Sequence, residues 1–283
     1  MILGAHESIA GGVSKAFERA EADTAECLQI FTKNARGWAA KPLDEGEIAS
    51  FKAEAKRTGF PAIAHCTYLV NLAAEDSALR QKSRLGFADE LERCTRLDIP
   101  WLVLHPGAHA DASTGIRLIA EGLDAAFAKV PGPSGVLLEV TAGQGTSIGH
   151  QFGQIAAILD ATQGSDRLGI CLDTCHLYAA GYDIGTREGY DRTLKELDQA
   201  VGLCRVKAIH LNDCLKPLGC RVDRHEEIGE GELGLAPFGY FLADPRLAKV
   251  LGILETPEPE KYKANLKKLR ALAGKPPSTK ARR

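Results

Sequence analysis

The sequence predicts an α/β protein: a single (β/α)8 TIM barrel with its working site at the C-terminal mouth of the strands. Three observations predict it. Short apolar runs alternate with longer helix-spaced segments eight times over, the order that builds a parallel sheet. Eight such units within 283 residues match the size of one closed barrel. The apolar runs also end, one after another, in ionisable residues, which a barrel would gather at one mouth. An open doubly wound sheet is the alternative, but no GxGxxG follows the first run, which removes its usual dinucleotide-binding rationale.

The elements follow in order. ILGAH (2–6) is an apolar run closing on His6, and CLQIFT (27–32) is the second strand. EGEIASFKAEAKRTG then carries helical spacing. AIAHC (62–66) presents His65, and LRQKSRLGFADELERCTRLD is the helix that follows. WLVLHPG (101–107) delivers His105, and GVLLEV (135–140) delivers Glu139. LGICLDT (168–174) ends at Asp173, followed by the helical REGYDRTLKELDQAVGL. VKAIHLND (206–213) carries His210, and GILET (252–256) carries Glu255. The barrel is expected to fill residues 1–273. The Pro-rich, basic stretch 274–283 reads as a disordered tail.

Composition excludes several classes. The apolar fraction is 45% and the charged fraction 25%, ordinary for a soluble globular protein. A net charge of −2 gives no global basic signal, so a polyanionic partner needs a local basic face. No stretch approaches the apolar length of a membrane span, and the N-terminus lacks a basic, apolar signal pattern. Eight scattered cysteines, without CxxC spacing, read as reduced thiols of a cytoplasmic protein.

A lone histidine at a strand end is more often a hydrogen-bonded core residue than a ligand. Seven strand ends with ionisable groups are another matter, because so many charges on one buried floor repel and desolvate badly unless a cation offsets them. Imidazole and carboxylate donors suit Zn²⁺, Mn²⁺ or Fe²⁺ better than Mg²⁺ or Ca²⁺. With His176, Asp223 and His225 added, there are more donors than one ion needs. Asp223 and His225 are two apart, so an extended segment turns both to one side. Asp173 and His176 are three apart across a strand end, and are expected to face different ions. The polar stretch RVDRHEEIGEGELG (221–234) would therefore complete a metal site, with its glycines letting the loop fold back.

These blocks resemble the endonuclease IV family of apurinic/apyrimidinic (AP) endonucleases from end to end: GAHESIAGG, FTKNARGW, HCTYLVNLA, HPGAH, TAGQG, CLDTCHLYAAGYD, HLND, RVDRHEEIGEGELG and ILET. The resemblance implies three zinc ions, with Mn²⁺ or Fe²⁺ able to substitute at some sites. His65 and His105 would hold the first, and Glu139 would bridge it to a second that also takes Asp173, His210 and Glu255. His176, Asp223 and His225 would hold the third. It implies hydrolysis of the phosphodiester 5′ to an abasic site in double-stranded DNA, leaving a 3′-hydroxyl and a 5′-deoxyribose phosphate, with Glu139 and Glu255 orienting or deprotonating the attacking water. Lys33, Asn34, Arg36, Tyr68 and Leu69 would contact DNA from loops at the mouth. The family more often has other residues at Cys66, Thr67 and Val140, and Val140 in place of Asn is expected to lose a supporting hydrogen bond. A monomer working in base excision repair is the implied setting, and the sequence points to no particular protein partner. A metal-dependent sugar isomerase or epimerase on the same barrel and a noncatalytic lesion binder are the competing readings. The third donor group and the FTKNAR loop favour the nuclease.

Overall fold

The computed structural model describes residues 1–39 and 41–274. Eight parallel strands close into a barrel: β1 (Ile2–Glu7), β2 (Cys27–Phe31), β3 (Ala62–His65), β4 (Trp101–Leu104), β5 (Gly135–Glu139), β6 (Leu168–Asp173), β7 (Val206–His210) and β8 (Leu251–Leu254), each beside its chain neighbour, with β8 returning to β1. Around them lie α1 (Lys15–Ala22), α2 (Glu45–Thr58), α3 (Ser77–Arg96), α4 (Ala112–Lys129), α5 (Phe152–Ala161), α6 (Thr174–Ala180), α7 (Arg187–Val201), α8 (Ala236–Ala243) and α9 (Tyr262–Ala273).

The strand sequences are apolar on both faces because both faces are buried. Alternate side chains, Cys27, Ile63, Val103, Leu137, Cys171, Ala208 and Ile253, fill the barrel's interior as one cluster. Their neighbours, such as Leu28, Ala64, Leu102, Leu138, Ile170 and Ile209, join the larger core between sheet and helices. This alternation sends His6, two residues on from Gly4, inward and Glu7 outward. Helix starts are fixed by caps: the carboxylates of Asp44, Asp76 and Asp111 accept from Glu47, Leu79 and Thr114 N–H at 2.7, 2.6 and 2.7 Å, each worth ~1 kcal/mol.

Each strand ends at least one residue away from the sequence reading, and three of the shifts have a clear physical cause. β4 ends at Leu104 rather than running to 107, since Pro106 has no N–H to give a ladder. β7 ends at His210, and Asp213–Cys214 instead pairs antiparallel with His225–Glu226. Thr174 does not prolong β6: Asp173 caps a short helix, α6, by accepting from His176 N–H at 2.8 Å. The tail expected over 274–283 lies, except for Gly274, outside the described residues.

Candidate metal centre

The strand ends bring their donors together. His65, His105 and Glu139 form one group, Glu139, Asp173, His210 and Glu255 a second, and His176, Asp223 and His225 a third, with donor atoms in each group within 4.8 Å of one another. Glu139 belongs to two groups, and Asp173 and His176 fall in different ones. Glu139 Oε2 lies 3.1 Å from His65 Nε2 and 3.0 Å from His105 Nε2. Its Oε1 lies 3.1 Å from His210 Nδ1, which is also 3.1 Å from Glu255 Oε2. Asp223 offers one oxygen to each imidazole of its group, at 3.2 Å from His176 Nε2 and 3.4 Å from His225 Nε2.

The ring nitrogens show that the donors fit a metal. His65 Nδ1–H donates to Cys66 O at 2.7 Å, His176 Nδ1–H to Val140 O at 3.0 Å and His225 Nδ1–H to Glu255 O at 3.1 Å. Each carbonyl can only accept, so in the neutral ring the Nε2 facing a carboxylate carries a lone pair. The same logic fixes His210. Glu255 Oε1 must accept from Gln29 Nε2, which leaves Gln29 Oε1 to accept from His210 Nε2 at 2.9 Å and puts the lone pair on Nδ1. Lone pairs set against carboxylate oxygens repel unless positive charge lies between them. Among the described residues, buried His176 Nε2 and His225 Nε2 have no hydrogen-bond partner. Two donors of one tetrahedral zinc sit roughly 3.4 Å apart for bonds of about 2.1 Å, close to the separations found here.

Electrostatics agree. Burial opposes ionisation of Glu139, but His105 and His210 outweigh it and hold the carboxyl well below the usual range. Glu255 is likewise held low against burial by His210, His6 and His65, and Asp223 by His176, His225 and His105. Burial disfavours charge on His176, yet the carboxylates of Asp173, Asp223 and Glu139 raise it well above an ordinary imidazole; His210 is raised likewise against burial, by Cys171 and then by Glu255 and Glu139. The cluster stabilises positive charge at its centre.

Several supporting residues escaped the sequence reading. Gln29 bridges Glu255 and His210, and His6, already counted among the ionisable strand ends, places Nδ1 3.0 Å from Glu255 Oε1. Asn212 donates to Asp173 Oδ2 at 2.8 Å and accepts from Glu255 N–H at 2.9 Å. Asp213 folds the acidic loop: it accepts from the N–H groups of Gly229, Gly231, Leu233 and Gly234 at 2.9–3.1 Å. Gly229 adopts φ +79°, and a Cβ on Gly231 would sit 2.6 Å from Asp213 Oδ1. Val140 contributes its backbone carbonyl, which holds His176. Cys175 lies close to Asp173 and His225, but its thiol donates to Arg224 O at 3.4 Å.

The loops at the mouth divide. Tyr68 is 63% exposed, its ring 5.6 Å from His65 and 6.1 Å from His105. Asn34 and Arg36 are exposed and Leu69 is half-buried. Lys33 is the correction: its side chain is 2% exposed, 3.2 Å from Asp89 and 3.5 Å from Glu90. A lysine already neutralised inside the protein is no free phosphate contact.

A closed barrel with clustered imidazole and carboxylate donors at its mouth defines the class, and the family described as "Xylose isomerase-like TIM barrel" matches residues 17–272. The "Probable endonuclease 4" of Chloroflexus aurantiacus is 49% identical over 277 residues, 95% of this chain and 97% of that protein. That of Geobacter sulfurreducens is 50% identical over 260 residues, 90% and 88% of the two chains. The crystal structure of endonuclease IV from Thermus thermophilus matches with TM-score 0.87 at 40% identity, covering 96% and 98%. The chain belongs to the endonuclease IV family. A D-tagatose 3-epimerase-like protein, TM-score 0.70 at 17% identity, shares the fold alone.

Proposed function

We propose that this chain is a zinc-dependent AP endonuclease of base excision repair, acting as a cytoplasmic monomer on double-stranded DNA. It hydrolyses the phosphodiester 5′ to an abasic site: water oxygen bonds to phosphorus, the P–O3′ bond breaks, and a proton ends on the 3′-oxygen. The products are a 3′-hydroxyl and a 5′-deoxyribose phosphate. The observation that carries this reading is the shared Glu139, which joins two donor groups beside a third. His65 and His105 would hold one zinc with Glu139; Asp173, His210 and Glu255 a second with Glu139; and His176, Asp223 and His225 a third. Bound zinc supplies Lewis acidity and an activated water.

The residues divide the remaining work. Both oxygens of fully buried Glu139 already face imidazoles, so it suits a bridging ligand. Glu255 is 11% exposed and reaches the mouth, so it is the better group to orient the attacking water and accept its proton. Gln29 and His6 fix its carboxylate, and the ring tautomers of His65, His176, His210 and His225 point their lone pairs inward. Tyr68, with Leu69, would fill the space beside the lesion, while Arg36 and Asn34 would meet the backbone. Zinc analysis alongside incision of a duplex with one tetrahydrofuran lesion tests the reading. Three zinc equivalents and a 5′ cut are expected. A fully active metal-free protein, or no cut by the zinc-loaded one, would refute it.

A further inference from the structure

Glu90 lies outside the three donor groups, on α3, and is completely buried. Its Oε2 accepts from the Thr67 N–H at 3.1 Å. That N–H belongs to the peptide group whose oxygen is Cys66 O, and Cys66 O accepts from His65 Nδ1–H at 2.7 Å. One planar peptide unit therefore carries His65 on its oxygen and Glu90 on its nitrogen. Because the peptide is rigid, fixing one end orients the other. A negative charge on the N–H side also polarises the carbonyl into a stronger acceptor. The same carboxylate lies 3.5 Å from Lys33 Nζ. Lys33 in turn donates to Trp38 O at 3.4 Å, and Arg93, one helical turn beyond Asp89 on α3, donates to Thr32 O at 3.3 Å and Lys41 O at 2.5 Å. The loop after β2 and the loop after β3 thus share an anchor.

We infer that Glu90 is a positioning residue for His65. Through the 66–67 peptide it sets the ring whose Nε2 faces Glu139, and through Lys33 it ties that orientation to the loop carrying Asn34 and Arg36. A structural ion pair alone would place no demand on His65, so the two roles separate experimentally. The zinc arm of the test rests on the function proposed above; the imidazole arm does not.

The variants are Glu90→Gln, which keeps shape without charge, and Lys33→Met with Glu90→Leu, which removes both charges and leaves neither orphaned. In metal-free protein, nitrogen-15 spectra of the histidine rings should show the His65 Nδ1 proton exchanging several-fold, up to about tenfold, faster in the double variant, the range set by the net worth of one hydrogen bond. In zinc-loaded protein, one equivalent should transfer to a chelator roughly 10–100-fold faster, as expected for loss of a group supporting a ligand, while the His176 group keeps its rate. Conservation of both readouts in folded variants would overturn the inference. So would uniform loosening of all zinc with a lower melting temperature, or failure of both variants to fold, since each makes Glu90 purely structural. A wild type that binds no zinc, with the predicted imidazole change still seen in the double variant, would instead refute the metal reading and leave this one standing.

Discussion

Replacing Asp213 with Asn removes one negative oxygen from a carboxylate that accepts five backbone hydrogen bonds. Oδ1 accepts from Cys214 and Leu233, and Oδ2 from Gly229, Gly231 and Gly234. An amide must turn its NH₂ toward one of these sets, so at least two N–H donors lose their acceptor and face another donor. Each buried donor left unmet costs about 1–3 kcal/mol, giving roughly 2–6 kcal/mol if the loop stays in place. The loop can instead swing into water, which caps the global loss near the lower end. At roughly 2–4 °C per kcal/mol for a domain of this order of size, the melting temperature should fall by about 4–8 °C. Local loss should be larger: the amides of Gly229, Gly231, Leu233 and Gly234 should exchange far faster. Zinc at the His225 group should loosen as well, because Cys214 is the ladder partner of His225. Thermal unfolding and amide exchange read these effects. An Asp213→Asn protein melting within about 2 °C of wild type, less than 1 kcal/mol on the same scale, with those amides still protected, would refute the account of how the loop is held.

Glu7 is pushed up to about 7 by burial, with Asp23 adding to the rise and Arg19 opposing it. Its folded value lies above the unfolded one, so it destabilises the protein increasingly as pH rises from 4.5 toward 7. Glu7→Gln should therefore gain stability over wild type between about pH 5 and pH 8, by about 3 kcal/mol at most; melting curves across that range check it, and a constant difference refutes it. Glu255→Gln should keep DNA affinity but lower single-turnover cleavage by ~10² or more, and a near-wild-type rate would shift proton acceptance elsewhere. Arg36→Ala and Tyr68→Ala should weaken lesion binding without changing zinc content, Arg36 with a shallower salt dependence. Wild-type incision by both at limiting enzyme would reassign the DNA contacts.

The barrel was legible because its signal is repeated: each strand is apolar on both faces, and eight of them recur at barrel spacing. What repetition could not set was where a strand stops. The run through His105 ends early because Pro106 cannot pair, and Thr174 belongs to a helix because Asp173 turns back to cap it. The three-way grouping of donors came from resemblance to the endonuclease IV family. The residues by themselves indicated that Asp223 and His225 share a side and that Asp173 and His176 diverge, and the geometry agrees with both.

The supporting residues were less legible because their roles depend on contacts that sequence spacing does not encode. Gln29 sits in an apolar strand and reaches His210, 181 positions away. Asn212 reaches Asp173 across 39. Glu90 is the instructive case, because a local signal did exist. On α3, Phe87, Leu91 and Cys94 form the buried stripe, and Glu90 falls on it. A carboxylate on a core-facing stripe costs several kcal/mol unless a cation and hydrogen-bond donors meet it there. That requirement calls for a basic residue from a neighbouring loop to turn inward, and Lys33, on the loop after the adjacent strand, meets it. The misplaced charge on the helix thus identifies Lys33 as the buried partner of Glu90 rather than a contact to DNA. The same reasoning moves the proposed phosphate contact from Lys33 to Arg36, which is exposed on that loop while Lys33 turns inward.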